Sequence, residues 1–207
     1  MSINFTNLNN TTPVEVVPSS SGFSLNLEKN NLLNLTKAAP EMKHVKFATS
    51  WDVSTSGVDF DLDISAFMLD QNQKLTDASN VIFYNNKTNQ GISLDKDNRT
   101  GIGEGDDETI NVDFSSLFNS VNKIVFCITI DKAMERRQTF GMVRNAKVRV
   151  VNADNNKEIC TYTLATEFST DTAVIIGAFN RDGNSWNFQT IGEGFVADLN
   201  VLASRFM

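Results

Sequence analysis

The 207-residue chain is 41% hydrophobic and 21% charged, with 15 Phe, so it can bury a sizeable core; 11 Gly and three Pro are too few for a collagenous or wholly disordered chain. A net charge of −7 and no basic run longer than Arg136-Arg137 argue against nucleic acid as a partner. Neither a basic-then-apolar leader nor an 18-residue apolar stretch is visible, which predicts a cytoplasmic protein without a membrane span.

In chain order, residues 1–22 are rich in Asn, Thr and Ser, with Pro13 and Pro18, and read as a flexible N-terminal tail. Residues 23–207 read as one domain. Phe23-Ser24-Leu25-Asn26-Leu27 alternates with period two, the mark of a half-buried strand, and residues 32–35 can return as a second. Strands are also expected over 45–51 and over 81–84, before the turn-forming Asn85-Asn86. Between them, Val58-Asp59-Phe60-Asp61-Leu62-Asp63-Ile64 alternates apolar and acidic side chains and predicts a strand over 58–64. Residues 95–108, crowded with Gly and Asp, read as loop.

Residues 124–130 are almost continuously apolar and read as a strand buried on both faces. Two hairpins are expected, 147–151 with 158–164, and 173–179 with 185–190 through Arg181-Asp182-Gly183-Asn184. Helical spacing appears twice: briefly over 134–137, and over 196–205, where Val196, Leu199, Leu202 and Ala203 share a face. Many short strands with frequent turn signals predict a mainly all-β fold, a two-sheet antiparallel β-sandwich with a short helix and a C-terminal helix. Trp51 and Trp186 read as core anchors, Cys127 and Cys160 as reduced, packed thiols, and His44 as a surface or strand residue.

The charge distribution carries the functional signal. In an extended strand, residues two apart lie ~7 Å from one another on one face, and at an effective dielectric of ~20 each neighbouring carboxylate pair repels by roughly 2 kcal/mol. A row of Asp59, Asp61 and Asp63 is therefore unfavourable unless a cation sits among them. The segment Asp97-Asn98-Arg99-Thr100-Gly101-Ile102-Gly103-Glu104-Gly105-Asp106-Asp107-Glu108 supplies further acids, and its glycines let carbonyls converge. An oxygen-only donor set suits calcium, which takes six to eight oxygen ligands, and suits zinc or copper poorly. Clustered carboxylates on a solvated face are the competing reading. Neither segment is a helix-loop-helix calcium loop, since Ile64 and Arg99 stand where glycine and an oxygen ligand belong, so a site would be assembled from separate loops.

Trp51-Asp52-Val53, Asp59-Phe60-Asp61-Leu62-Asp63 with Ser65-Ala66-Phe67, Asp97-Asn98-Arg99-Thr100-Gly101 and Gly103-Glu104-Gly105-Asp106-Asp107-Glu108 follow one another in the order of a known family. Lys123-Ile124-Val125-Phe126, Phe140-Gly141, Val143-Arg144-Asn145-Ala146, and Trp186 with Gly192-Glu193-Gly194 continue the match. Over roughly 23–205 the chain resembles the tellurium-resistance TerD family. It departs from that pattern in Ala48-Thr49-Ser50, where glycines are usual, and in its longer N-terminal tail.

The resemblance implies a bacterial cytoplasmic β-sandwich with two calcium ions, acting in stress responses tied to tellurite resistance, phage inhibition and colicin tolerance. It maps the metal-ligand positions onto Asp59, Asp61, Asp63, Asp97, Asn98, Glu104, Asp106, Asp107 and Glu108, and supplies no catalytic residues. The expected function is thus a non-enzymatic calcium-binding module. Its expected partners are other proteins of a stress-response complex, free or membrane-associated. The alternatives are a calcium-bridged binder of an anionic small molecule or lipid, or a phosphatase-like hydrolase suggested by Asp61-Leu62-Asp63.

Overall fold

The computed structural model describes residues 14–15, 25–26, 31–34, 42–54, 58–103, 105–164 and 168–207. Among them are fourteen strands in two seven-stranded sheets. The first sheet has the order β1 (Val14–Glu15), β3 (Asn31–Asn34), β14 (Ser185–Phe195), β13 (Ala173–Asp182), β10 (Lys123–Ile130), β5 (Leu62–Leu69), β6 (Val81–Ile82). The second runs β2 (Leu25–Asn26), β12 (Lys157–Thr163), β11 (Lys147–Asn152), β4 (His44–Ser50), β9 (Glu108–Asp113), β8 (Ile92–Leu94), β7 (Thr88–Asn89). Pairing is antiparallel except where β1 meets β3 and β2 meets β12. The mainly β two-sheet sandwich expected from the sequence is the fold. Of the expected tail, only Val14–Glu15 falls within the described residues.

Between the sheets the phenylalanines form a continuous column. Phe47 of β4 stacks on Phe126 of β10 at 4.3 Å, Phe126 meets Phe179 edge-on at 5.1 Å, and Phe179 meets Phe188 at 5.3 Å. Trp51 and Trp186 are both buried in this core, as their reading as anchors required. The outer face of the first sheet is covered too. Phe67, Leu69, Val125, Ile175 and Ile191 pack there against Leu202, Ala203 and Phe206 of the C-terminal segment. This double covering is why β10 is apolar on both faces and why all eight residues of β5 are buried.

Two short helices, α1 (Ala133–Arg136) and α2 (Leu199–Ser204), complete the described fold. The expected C-terminal helix is thus shorter than 196–205. Asp198 caps it by accepting from the Val201 N–H at 2.9 Å, so the helix starts at Leu199 and Val196 is left exposed. No helix among the described residues is long and apolar enough to cross a membrane.

Two strand expectations need correction, and both bear on the acidic residues. The strand expected over 58–64 begins only at Leu62, because side chains take the backbone carbonyls before it. Gln138 Nε2 donates to the Asp59 carbonyl (2.8 Å) and Trp51 Nε1 to that of Phe60 (3.1 Å). The loop expected over 95–108 ends early, since Glu108 opens β9, whose Ile110 and Val112 point into the core.

Candidate metal centre

Strand register brings the acids together. β5 pairs with β10 so that Asp63 lies opposite Thr129 and Leu62 opposite Ile130, and beyond the strand ends the Asp131 N–H donates to the Asp61 carbonyl at 2.8 Å. On its other side β5 is paired by β6 only at Ala66 and Phe67, so residues 62–65 have no described strand neighbour there. Glu108 of the facing sheet fills this free edge. Its Oε2 accepts the Ile64 N–H at 2.8 Å and its Oε1 accepts the Asn98 N–H at 3.2 Å, joining the two sheets and the 95–107 loop.

Asp63, Asp97 and Glu108 each place a carboxylate oxygen within 4.8 Å of the other two. Oxygens on opposite sides of one calcium ion, at 2.3–2.6 Å each, are about 5 Å apart, so the trio fits around a single ion of that size. Beside it lies a cavity of about 270 Å³ walled by Asp61, Asp63, Asp97 and Asp131 together with Tyr84, Arg99 and Lys132. Asp61 is only 5% exposed, yet its Oδ1 has no hydrogen-bond partner among the described residues; its Oδ2 accepts from the exposed Arg99 Nε at 3.3 Å. A buried carboxylate oxygen without a donor is costly, a cost that a bound cation would offset.

The electrostatics agree. Burial pushes Glu108 up to about 9, against the opposing hydrogen bond from Ile64, and Asp63 burial with the charges of Asp61, Asp131 and Asp97 pushes that carboxyl up to about 7. Asp61 is raised by burial despite Arg99, and Asp107 by burial despite the Trp51 N–H. Tyr84 is raised by burial and by the neighbouring carboxylates. Metal-free, the cluster resists full ionisation, which is the state a cation would stabilise.

The remaining predicted ligands take other positions. Asp59 is exposed and leaves the row formed by Asp61 and Asp63. Asp106 is held in a bidentate pair by Arg149 (2.8 and 2.7 Å), whose Nη1 also lies 3.6 Å from Glu158. Asp107 accepts from the Trp51 N–H (2.9 Å) and Asn98 Nδ2 (2.6 Å), while Asn98 Oδ1 accepts the N–H groups of Thr100 and Gly101. These three residues shape the loop around the cluster. Glu104 lies outside the described residues. Asp131 and Tyr84 were not singled out from the sequence; the available signal for Asp131 was an acid immediately after the buried 124–130 run.

The loop closes against Trp51 through Gly101, whose φ of +72° favours glycine and whose missing Cβ would stand 2.8 Å from the indole and from the Trp51 carbonyl. Gly101→Ala is expected to cost about 1–3 kcal/mol through left-handed strain, before adding the clash. Thermal melts of the metal-free variant against the parent would measure it, and an unchanged midpoint would refute this packing role.

The TerD domain family model matches residues 23–206. The chain belongs to the TerD family. Tellurium resistance protein TerD of Serratia marcescens is 42% identical over 186 residues, spanning 88% of this TerD-family chain and 97% of that protein. General stress protein 16U of Bacillus subtilis (strain 168) is 40% identical over 187 residues, with 88% and 97% covered. A solved homologue of telluride resistance protein from Streptomyces coelicolor A3(2) matches with a TM-score of 0.68 over 78% of this chain and 95% of its own, at 23% identity, a likeness of fold alone.

Proposed function

We propose that this TerD-family chain is a non-catalytic calcium-binding module of a cytoplasmic stress response, of the kind named in its tellurium-resistance and general-stress relatives. It holds about two calcium ions at the end of the sandwich where β5 meets β9. The observation that carries the reading is the convergence of Asp63, Asp97 and Glu108 within one ion's coordination diameter. Asp61, with its orphaned Oδ1, and Asp131 are the groups for a second ion in the adjoining cavity. Bound calcium supplies the positive charge that lets these buried carboxylates ionise together and fixes the 95–107 loop. The output is binding: the ordered loop is read by other proteins of a stress-response complex.

Calorimetric titration of metal-stripped protein with calcium is the direct test, and no heat of uptake would end the proposal. Asp63→Asn is expected to weaken binding by at least about tenfold, the 1.4 kcal/mol minimum for losing one charged donor. Asp106→Asn should have a smaller effect, because its carboxylate is committed to Arg149. Equal losses in both variants would show that Asp106 leaves Arg149 to join the metal.

A further inference from the structure

Four carboxylates, those of Asp61, Asp63, Asp97 and Asp131, face the 270 Å³ cavity, and Arg99 and Lys132 are the cations on its wall. The two cations differ. Arg99 Nε donates to Asp61 Oδ2 at 3.3 Å, whereas Lys132 forms no salt bridge among the described residues.

The Arg99 contact is weak for its surroundings. It uses one nitrogen of a group that can present a two-pronged fork, it is long for a charge-assisted bond, and the Arg99 side chain is 67% exposed. Arg149 grips Asp106 quite differently, through two bonds of 2.8 and 2.7 Å. Asp61 is thus only half engaged, for its buried Oδ1 has no hydrogen-bond partner among the described residues. A divalent ion in the cavity could meet that oxygen and the Asp131 carboxylate together, which the single Nε–H cannot.

The backbone keeps Arg99 at the cavity while leaving its side chain free to turn away. The Asn98 N–H donates to Glu108 Oε1, and Asn98 Oδ1 accepts the N–H groups of Thr100 and Gly101, so the chain is held on both sides of Arg99. A guanidinium keeps its charge at any physiological pH, so this cation is permanent. We propose that Arg99 is a tethered counter-ion, which balances Asp61 in the metal-free chain and is displaced into solvent when calcium enters the cavity. This inference rests on the calcium reading above, and it imposes an order of filling. The Asp63, Asp97 and Glu108 site, with which Arg99 shares no hydrogen bond, fills first; the Asp61 site fills second, against the guanidinium.

The test is calorimetric titration of the full chain with calcium, comparing the parent with Arg99→Gln and with Lys132→Gln, the control for wall charge alone. Arg99→Gln is expected to bind the second ion about fivefold more tightly, equivalent to about 1 kcal/mol, the upper end for an exposed ion pair because Asp61 is buried. Its first step, and both steps of Lys132→Gln, should stay within about twofold of the parent. In the parent, the Arg99 Nε–H resonance (assigned by its loss in Arg99→Gln) should move and exchange faster with water during the second equivalent of calcium, not the first. The proposal fails, and the calcium reading stands, if Arg99→Gln leaves the second step unchanged or weaker, if Lys132→Gln matches Arg99→Gln, or if the Nε–H signal holds still to saturation. Uptake of a single ion by all three proteins would remove the second site and this proposal with it, leaving the first site intact. If none of them takes up calcium, the calcium reading itself fails.

Discussion

Chelating calcium is expected to lower the melting temperature by about 5–10 °C for each site saturated at a hundred times its Kd. Ligand that binds only the native state adds ~2.7 kcal/mol at that occupancy, and each kcal/mol moves the midpoint of a domain of this size by roughly 2–4 °C. Without an ion, Asp63, Asp97 and Glu108 face one another with carboxylate oxygens within 4.8 Å, and on the proposed reading the 95–107 loop would lack the positive charge that fixes it. The sandwich should persist, because Phe47, Phe126, Phe179 and Phe188 pack without reference to the loop. Amide exchange should therefore accelerate in 97–103 and 105–107 and stay slow in β10 and β13. Moderate salt should leave the calcium-induced shift largely intact, since coordination is more than screened charge. A chelator that changes neither the midpoint nor loop exchange would return the cluster to the status of a solvated acidic face.

Calcium affinity should rise steeply with pH between about 6 and 9. Metal-free Glu108 keeps its proton up to about pH 9 and Asp63 up to about pH 7. In the unfolded chain both ionise near pH 4, so across the intervening window the folded protein holds the additional protons. Metal-free stability from these two groups is accordingly greatest at acid pH and is lost as pH climbs through the folded values. Coordination requires the ionised carboxylates, so calcium uptake at pH 7 must release protons. Titrations in buffers of different ionisation enthalpy should give different heats; identical heats would refute the protonated ground state. Glu108→Gln removes the titrating group and is expected to cost at least a hundredfold in calcium affinity, about 2.7 kcal/mol. It should cost the metal-free protein only about 1–3 kcal/mol, because its amide can still accept from Ile64 but turns a donor toward the Asn98 N–H.

Much of the architecture was legible in residue order because local rules govern it. Period-two alternation, turn residues and the apolar 124–130 run identify strands and hairpins without knowledge of their partners. The acidic segments were equally visible, and Asp61, Asp63, Asp97 and Glu108 do converge. What stayed hidden was decided by contacts distant in sequence. Asp59 leaves the row because Gln138, 79 residues away, takes its carbonyl. Asp106 turns to Arg149, 43 residues on, and Asp131 joins the cavity through the β5–β10 register. Glu108 reads as the last acid of a loop until β9 is recognised, and that strand is identified by its pairing with β4 and β8.

The Glu108 contact with Ile64 also protects the molecule from its own copies. β5 is a run of eight buried residues, and six of them have no described strand partner on the β6 side. Such an edge is a template on which a strand from another chain can grow. The Glu108 side chain on the Ile64 N–H occupies a rung of that ladder, so a second backbone finds that donor already taken. The same side chain that meets Asp63 and Asp97 in the acidic cluster therefore also shields β5 from pairing with a second copy of the chain.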